Sequence, residues 1–135
     1  MSMSTVRKLL ETQLNSVSGD IDTAFENVRF SPVHGTPYQA VALLPGATQN
    51  PSYGDDFKRE VGIFQVSVMY PLNAGPAAAQ ARVETIRAAF KRGLALTDGL
   101  VRVLINASPY QSPGRPGAGW FSIAVSVPYY ADISP

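Results

Sequence analysis

Two stretches of this chain alternate side by side for longer than any turn allows, and they constrain the fold more than any other feature. From Arg59 to Tyr70, the residues Phe64, Val66, Val68 and Tyr70 fall on one side and Ile63, Gln65, Ser67 and Met69 on the other. Near the end, Phe121, Ile123, Val125, Val127 and Tyr129 alternate with Ser122, Ala124, Ser126 and Pro128. Successive strand side chains point to opposite faces, so both runs read as long strands with one buried face. Tyr38 to Leu44, bounded by Pro37 and by Pro45-Gly46, is a shorter apolar strand.

Elsewhere the apolar period changes to that of a helix. Val6, Leu9, Leu10, Leu14 and Val17 recur at helical spacing, with Arg7, Lys8, Glu11 and Gln13 opposite, which predicts an amphipathic helix after Ser4. Ala79, Val83, Ile86 and Phe90 predict a second helix over about Pro76 to Arg92, with Arg82, Glu84, Arg87 and Lys91 on its outer face. Lys91 and Arg92 suit the negative end of that helix, and Gly93 is placed to cap it. Asp98-Gly99 separates the runs Leu94 to Thr97 and Leu100 to Ile105, a hairpin signal. The segment from Gly19 to Phe30 fits neither period. Residues 45–58 and 108–119, rich in Pro and Gly, read as two open loops. The expectation is a single α+β domain over residues 1–135: two amphipathic helices on one face of a largely antiparallel sheet of about five strands.

Composition removes whole classes of function. The chain has 135 residues, 45% of them hydrophobic, which suffices for a core without staples. Eleven Lys and Arg against ten Asp and Glu leave a net charge of +1, too little to gather nucleic acid or an anionic membrane, and too little to keep identical copies apart. There is no cysteine, so disulfides, thiol catalysis and Cys-type metal sites are excluded. The first seventeen residues carry Arg7, Lys8 and Glu11 within their apolar pattern, unlike a signal peptide or a membrane span, so synthesis in the cytoplasm is expected.

Chemistry-bearing constellations are equally sparse. His34, the one histidine, sits in a Pro and Gly loop with no nucleophile elbow in the chain, and reads as a surface residue. Asp20 and Asp22, and the group Asp55, Asp56 and Glu60, lack calcium-loop spacing and read as solvated loop charge. Gly117-Ala118-Gly119 has no helix after it, so it reads as a turn and not as a phosphate cradle. No catalytic, cofactor or metal site is expected. What the residues do offer is surface. The minor faces of the two long strands carry Ile63 and Met69, and Trp120, Ala124 and Tyr130, while one layer of helices covers only one face of a sheet. The other face is wrapped either by residues 20–37 and the loops or by another subunit.

Several strings in order then carry a resemblance: Phe25-Glu26-Asn27-Val28 followed by Phe30, Gly35-Thr36-Pro37-Tyr38, Leu44-Pro45-Gly46, the strand Gly62 to Val68 running into Tyr70-Pro71, and the ending Val125 to Tyr130. Together they resemble small phage and prophage tail proteins of the tail terminator type, over nearly the whole chain. The resemblance implies a non-enzymatic structural protein of the virion. It implies a homo-oligomeric, hexameric ring that caps the tail tube, ends its polymerisation and offers a surface to the head–tail connector protein. Its partners would be itself, the tube protein and the connector, with no cofactor, no specific nucleic acid and no membrane. It would reside at the head-proximal end of the tail, after assembly in the host cytoplasm. Asp55, Asp56, Lys58, Arg59 and Arg115 are the candidate charged rim of the subunit interface. Another neck or head-completion protein is the alternative, and a small ligand-binding module or a hydrolase the remote ones.

Overall fold

The computed structural model describes residues 2–19, 21–49 and 58–133. Helix α1 spans Ser2–Asn15, and the short strand β1 spans Asp22–Ala24. Strands β2 (Tyr38–Pro45) and β3 (Lys58–Pro71) follow, then α2 (Ala77–Ala89) and the hairpin β4 (Ala95–Asp98) and β5 (Val101–Leu104). Two short strands, β6 (Tyr110–Gln111) and β7 (Arg115–Gly117), precede β8 (Trp120–Ile133).

All eight strands belong to one sheet, in the order β1-β2-β3-β8-β5-β4, with β6 and β7 also pairing β8. The α+β expectation holds, but the sheet is larger than five strands, mixed, and curled. It is mixed because β1 joins β2 in parallel, Asp22 opposite Tyr38 and Ala24 opposite Ala40, in the segment that fits no period. It is larger because the expected open loop 108–119 is used by β8. That strand is fourteen residues long, and β5 covers only its last four positions on that edge, from Tyr130 to Ile133. Tyr110 and Gln111 pair with Ser126 and Val125, and Arg115 to Gly117 pair with Ser122 to Trp120, occupying two further stretches of the edge.

The alternation works as the pattern predicts. Phe64, Val66 and Val68 are fully buried, as are Val125 and Val127, and the ladder sets Phe64 opposite Val127 and Leu43. From α1, Val6, Leu10 and Leu14 enter the same core; from α2, Ala79, Val83, Ile86 and Phe90 do. Both helices lie on this core side of the sheet, α2 on β3 and β8 and α1 on β4 and β5. Polar contacts tie α1 to the opposite edge as well: Glu26 accepts hydrogen bonds from Arg7 at 2.8 Å and from the Leu43 backbone N–H at 2.6 Å. That carboxylate satisfies an N–H on the part of β2 that β1 does not reach, and Pro45 just beyond has none to offer, so this edge is closed to strand addition.

Two details depart from the pattern. Helix α2 ends at Ala89, with Phe90 as its cap residue, so Lys91 and Arg92 lie beyond it; the Gln13 side chain donates to the Ala89 carbonyl at 2.8 Å. Arg82, expected on the outer face, instead turns inward, where its Nε donates to Gln39 Oε1 at 3.3 Å.

The β7–β8 hairpin turns on Ala118 and Gly119 alone, at φ of 51° and 86°. Both central residues of a type I′ turn require positive φ, which alanine tolerates poorly and asparagine better. Ala118→Asn is therefore expected to stabilise the fold by roughly 0.5–1 kcal/mol, read as a higher urea midpoint at unchanged slope; a lower midpoint would contradict this turn geometry.

Candidate functional site

Side chains with catalytic potential do not converge. His34 is exposed in a turn, and among the described residues no three of His, Cys, Asp and Glu gather as metal ligands. The buried Tyr129 hydroxyl is the most perturbed of the acids. Burial first, and Glu60 second, push it up to about 12, so it stays protonated at neutral pH. It sits opposite Gly62 across the β3–β8 ladder, where a Cβ would come 2.9 Å from the hydroxyl and 2.7 Å from the Leu44 carbonyl oxygen. The missing side chain makes room for the tyrosine tip. Nothing there has the layout of a reaction centre.

The expected rim residues separate. Asp55 and Asp56 lie outside the described residues. Lys58 and Arg59 open β3, and Arg59 forms a forked pair with Asp132 directly opposite on β8, its Nε and a terminal nitrogen donating at 2.7 and 3.1 Å. Its guanidinium also lies 4.2 Å from the centre of the Tyr130 ring. The hydrogen bond to Asp132 raises the already high pKa of Arg59. Arg59 thus has a structural task inside its own subunit, and Arg59→Glu would set two carboxylates face to face across the ladder. Arg115, exposed on β7, pairs with Ser122, ten positions along β8 from Asp132 and so roughly 33 Å away. One contact patch cannot hold both.

The sheet face opposite the helices has no covering layer along its middle among the described residues. Tyr38, Ala40 and Ala42 from β2, Ile63, Gln65, Ser67 and Met69 from β3, and Ser122, Ala124, Ser126, Pro128 and Tyr130 from β8 share it by register, all partly exposed. At one end Phe30 packs on Tyr38 (5.0 Å between ring centres) and Tyr38 meets the edge of Trp120 (5.1 Å). Residues 21–37 therefore wrap that end, while Val28 and Val33 remain exposed. Along the middle of β2, β3 and β8 the face carries no charge; Arg59, Asp132 and Arg102 mark its far end.

Several open clefts mark the described surface, and two on the helical side are lined by charged residues. One, of about 650 Å³, runs along α1 and holds Arg7, Lys8, Glu11 and Glu26. Its charges are already matched, since Arg7 bridges Glu26 at 2.8 Å and Glu11 at 3.8 Å. The Arg7 hydrogen bond and the Leu43 N–H hold the Glu26 carboxyl below the usual range, whereas burial raises Glu11 despite Arg7. The Glu26 contribution to stability is present above the ordinary carboxylate pKa and is lost as pH falls through its lowered value. The other cleft, of about 300 Å³, lies beside the end of α2 and is basic.

Sequence reasoning did not find Asp132, Glu26 or Gln39. Gln39 is fully buried in the core face of β2, where it donates to Ser18 Oγ and Thr23 Oγ1, both at 2.9 Å, and accepts from Arg82. A lone polar residue inside the apolar run Tyr38 to Leu44 was the available signal. For Arg82 it was the spacing, three residues after Ala79 and four before Ile86.

Comparison with known proteins adds to this geometry. Residues 5–129 match the family described as phage tail terminator protein. Six chains of solved structures also match. One of them is 23% identical, with 100% of this chain and 99% of that one covered and a TM-score of 0.80, a likeness of fold. No curated protein matches.

Proposed function

The chain belongs to the phage tail terminator protein family, and on that premise we propose that its copies close into a ring on the end of the tail tube. As a member it is a structural protein of the phage tail, from a family that is not typically enzymatic. The ring would stop addition of further tube subunits and present its other side to the head–tail connector, which puts it at the head-proximal end of the virion.

One observation carries the proposal beyond family membership: a sheet face, uncharged along the middle of β2, β3 and β8 and with no helix over it among the described residues, on a molecule whose net charge of +1 does not oppose self-association. Within a ring such a face gains cover that the isolated subunit lacks. Contacts between unlike patches close into a ring when the rotation between copies is right.

The test uses purified tube protein of the same phage, polymerising with and without this protein. Added protein is expected to arrest elongation and to appear as a ring at one tube end in electron micrographs. Tubes of unchanged length with bare ends would contradict the proposal. Binding to isolated head connectors, without binding to tubes, would make the chain a neck component instead.

A further inference from the structure

An exposed strand edge holds unpaired N–H and C=O groups that another strand fits, and the sheet closes its edges unequally. On the β1–β2 edge, Glu26 takes the Leu43 N–H, Pro45 has none to give, and β1 is three residues long. In β7, the pair Gly117 and Trp120 closes a two-residue turn, so Arg115 and Gly117 bond to β8 and the residue facing out is Pro116, which has no N–H. β6 is two residues long, and its Gln111 exchanges side-chain hydrogen bonds of 2.9 and 3.0 Å with Gln80 of α2.

β4 has none of these devices. The Ile105 N–H donates to the Leu94 carbonyl at 2.9 Å, and bonded pairs alternate along an antiparallel ladder. Leu96 and Asp98 therefore bond to Val103 and Val101 on β5, while the N–H and C=O of Ala95 and Thr97 point away from the sheet. Both residues are exposed, and α1 packs over the face of β4 and β5, leaving this edge open.

Apart from the ring reading, and without resting on it, we infer that the β4 edge pairs with the β4 edge of a second copy about a twofold axis. Among the described residues it is the one edge with two alternate positions free in both N–H and C=O, so within this chain it is the edge that matches its own spacing. With Leu96 on the axis, Ala95 of each copy faces Thr97 of the other, and every outward backbone group finds a partner. Side chains agree with this register. Leu96, packed against the core, meets the same leucine, and Ala95 and Thr97 are small and uncharged. Asp98 comes opposite Leu94 of the other copy, beside the turn that holds Lys91 and Arg92. Among the described residues no carboxylate bridges those two cations, and Asp98 has only Lys8 at 3.9 Å, with both side chains at least half exposed. Leu100, 60% exposed at the hairpin tip, reaches the same turn and gains cover there. One such contact is small beside the cost of joining two proteins, so it is transient between single subunits and adds up where several copies meet at once.

Cysteine trapping reads the contact on the full-length protein, because the chain has no thiol of its own. Facing Leu96 positions lie about 4.5 Å apart between Cα atoms, within the roughly 4.4–6.8 Å that a disulfide spans. In oxidised glutathione, Leu96→Cys is expected to give roughly tenfold more linked dimer than Leu72→Cys, an exposed position beyond the far end of β3. Two exposed positions repeat the reading without touching the core: a mixture of Ala95→Cys and Thr97→Cys chains is expected to link more than either chain alone. Arg92→Asp and Asp98→Arg, each added to the Leu96→Cys chain with circular dichroism confirming the fold, should lower the yield about threefold at low salt, and together restore it. A Leu96→Cys chain linked no better than Leu72→Cys, or a mixture linked no better than its two parts, would overturn the pairing. Rings from a chain that gives no trapped dimer would do so while leaving the ring reading in place; a trapped dimer from a chain that forms no ring would do the reverse.

Discussion

Phe64→Ala is expected to cost about 3–5 kcal/mol, out of the roughly 5–15 kcal/mol that holds a domain of ordinary stability together. Phe64 is fully buried on β3, a central strand. It lies opposite Leu43 on one side and Val127 on the other, with its ring 5.7 Å from that of Phe90, the cap residue at the end of α2. Truncation removes the contact by which α2 seats on the sheet and leaves a void between rigid elements that cannot collapse into it. The urea midpoint should fall sharply, and helical circular dichroism should fray at moderate temperature. Ile63→Ala, one residue away on the opposite face, should cost the isolated subunit less than about 1 kcal/mol. Equal losses at the two positions would contradict the assignment of the buried face.

Gln39→Leu should be the second most damaging change, about 2–4 kcal/mol, although it keeps the volume and adds apolar character. The amide of Gln39 joins three elements: Ser18 after α1, Thr23 on β1 and Arg82 on α2. Leucine would leave the Thr23 hydroxyl without its donor, Ser18 Oγ with only the bond it donates to the Leu14 carbonyl at 2.8 Å, and the guanidinium without an acceptor. Arg82 is already marginal, with a terminal nitrogen buried and unpartnered and its pKa lowered by burial. Gln39→Leu combined with Arg82→Met should therefore be more stable than Gln39→Leu alone, because the stranded charge has gone. A double variant no better than the single one would show that Arg82 does not depend on Gln39.

Legibility in the sequence followed element length and the burial of one face. β3 and β8 alternate over a dozen or more residues against a core, so period two is unmistakable there. β1, β6 and β7 are two or three residues long, too short to show a period, and β7 even contains Pro116 and Gly117. These segments are strands because neighbouring edges were vacant, which is a tertiary cause and leaves no local mark. The parallel pairing of β1 with β2 is likewise set by how Gln39 and Glu26 fasten the chain after α1.

Surface charge was the least legible. Arg59 and Asp132 are 73 residues apart, and nothing in either neighbourhood predicts that they face each other. The expected rim therefore set Arg59, one member of that structural pair, beside a distant Arg115, while Arg87, Lys91 and Arg92 read as an ordinary solvated helix end. Their gathering against Pro109 depends on β6 docking to β8, which places residues 108 and 109 beside α2.

Sedimentation velocity of the purified chain, followed by electron microscopy of its largest species, bears most directly on whether the molecule works by joining copies of itself. A concentration-dependent shift from the 14.5 kDa subunit to one discrete, closed, ring-shaped multiple is the expected result. A 14.5 kDa particle at every concentration, with and without tail tubes, would contradict it.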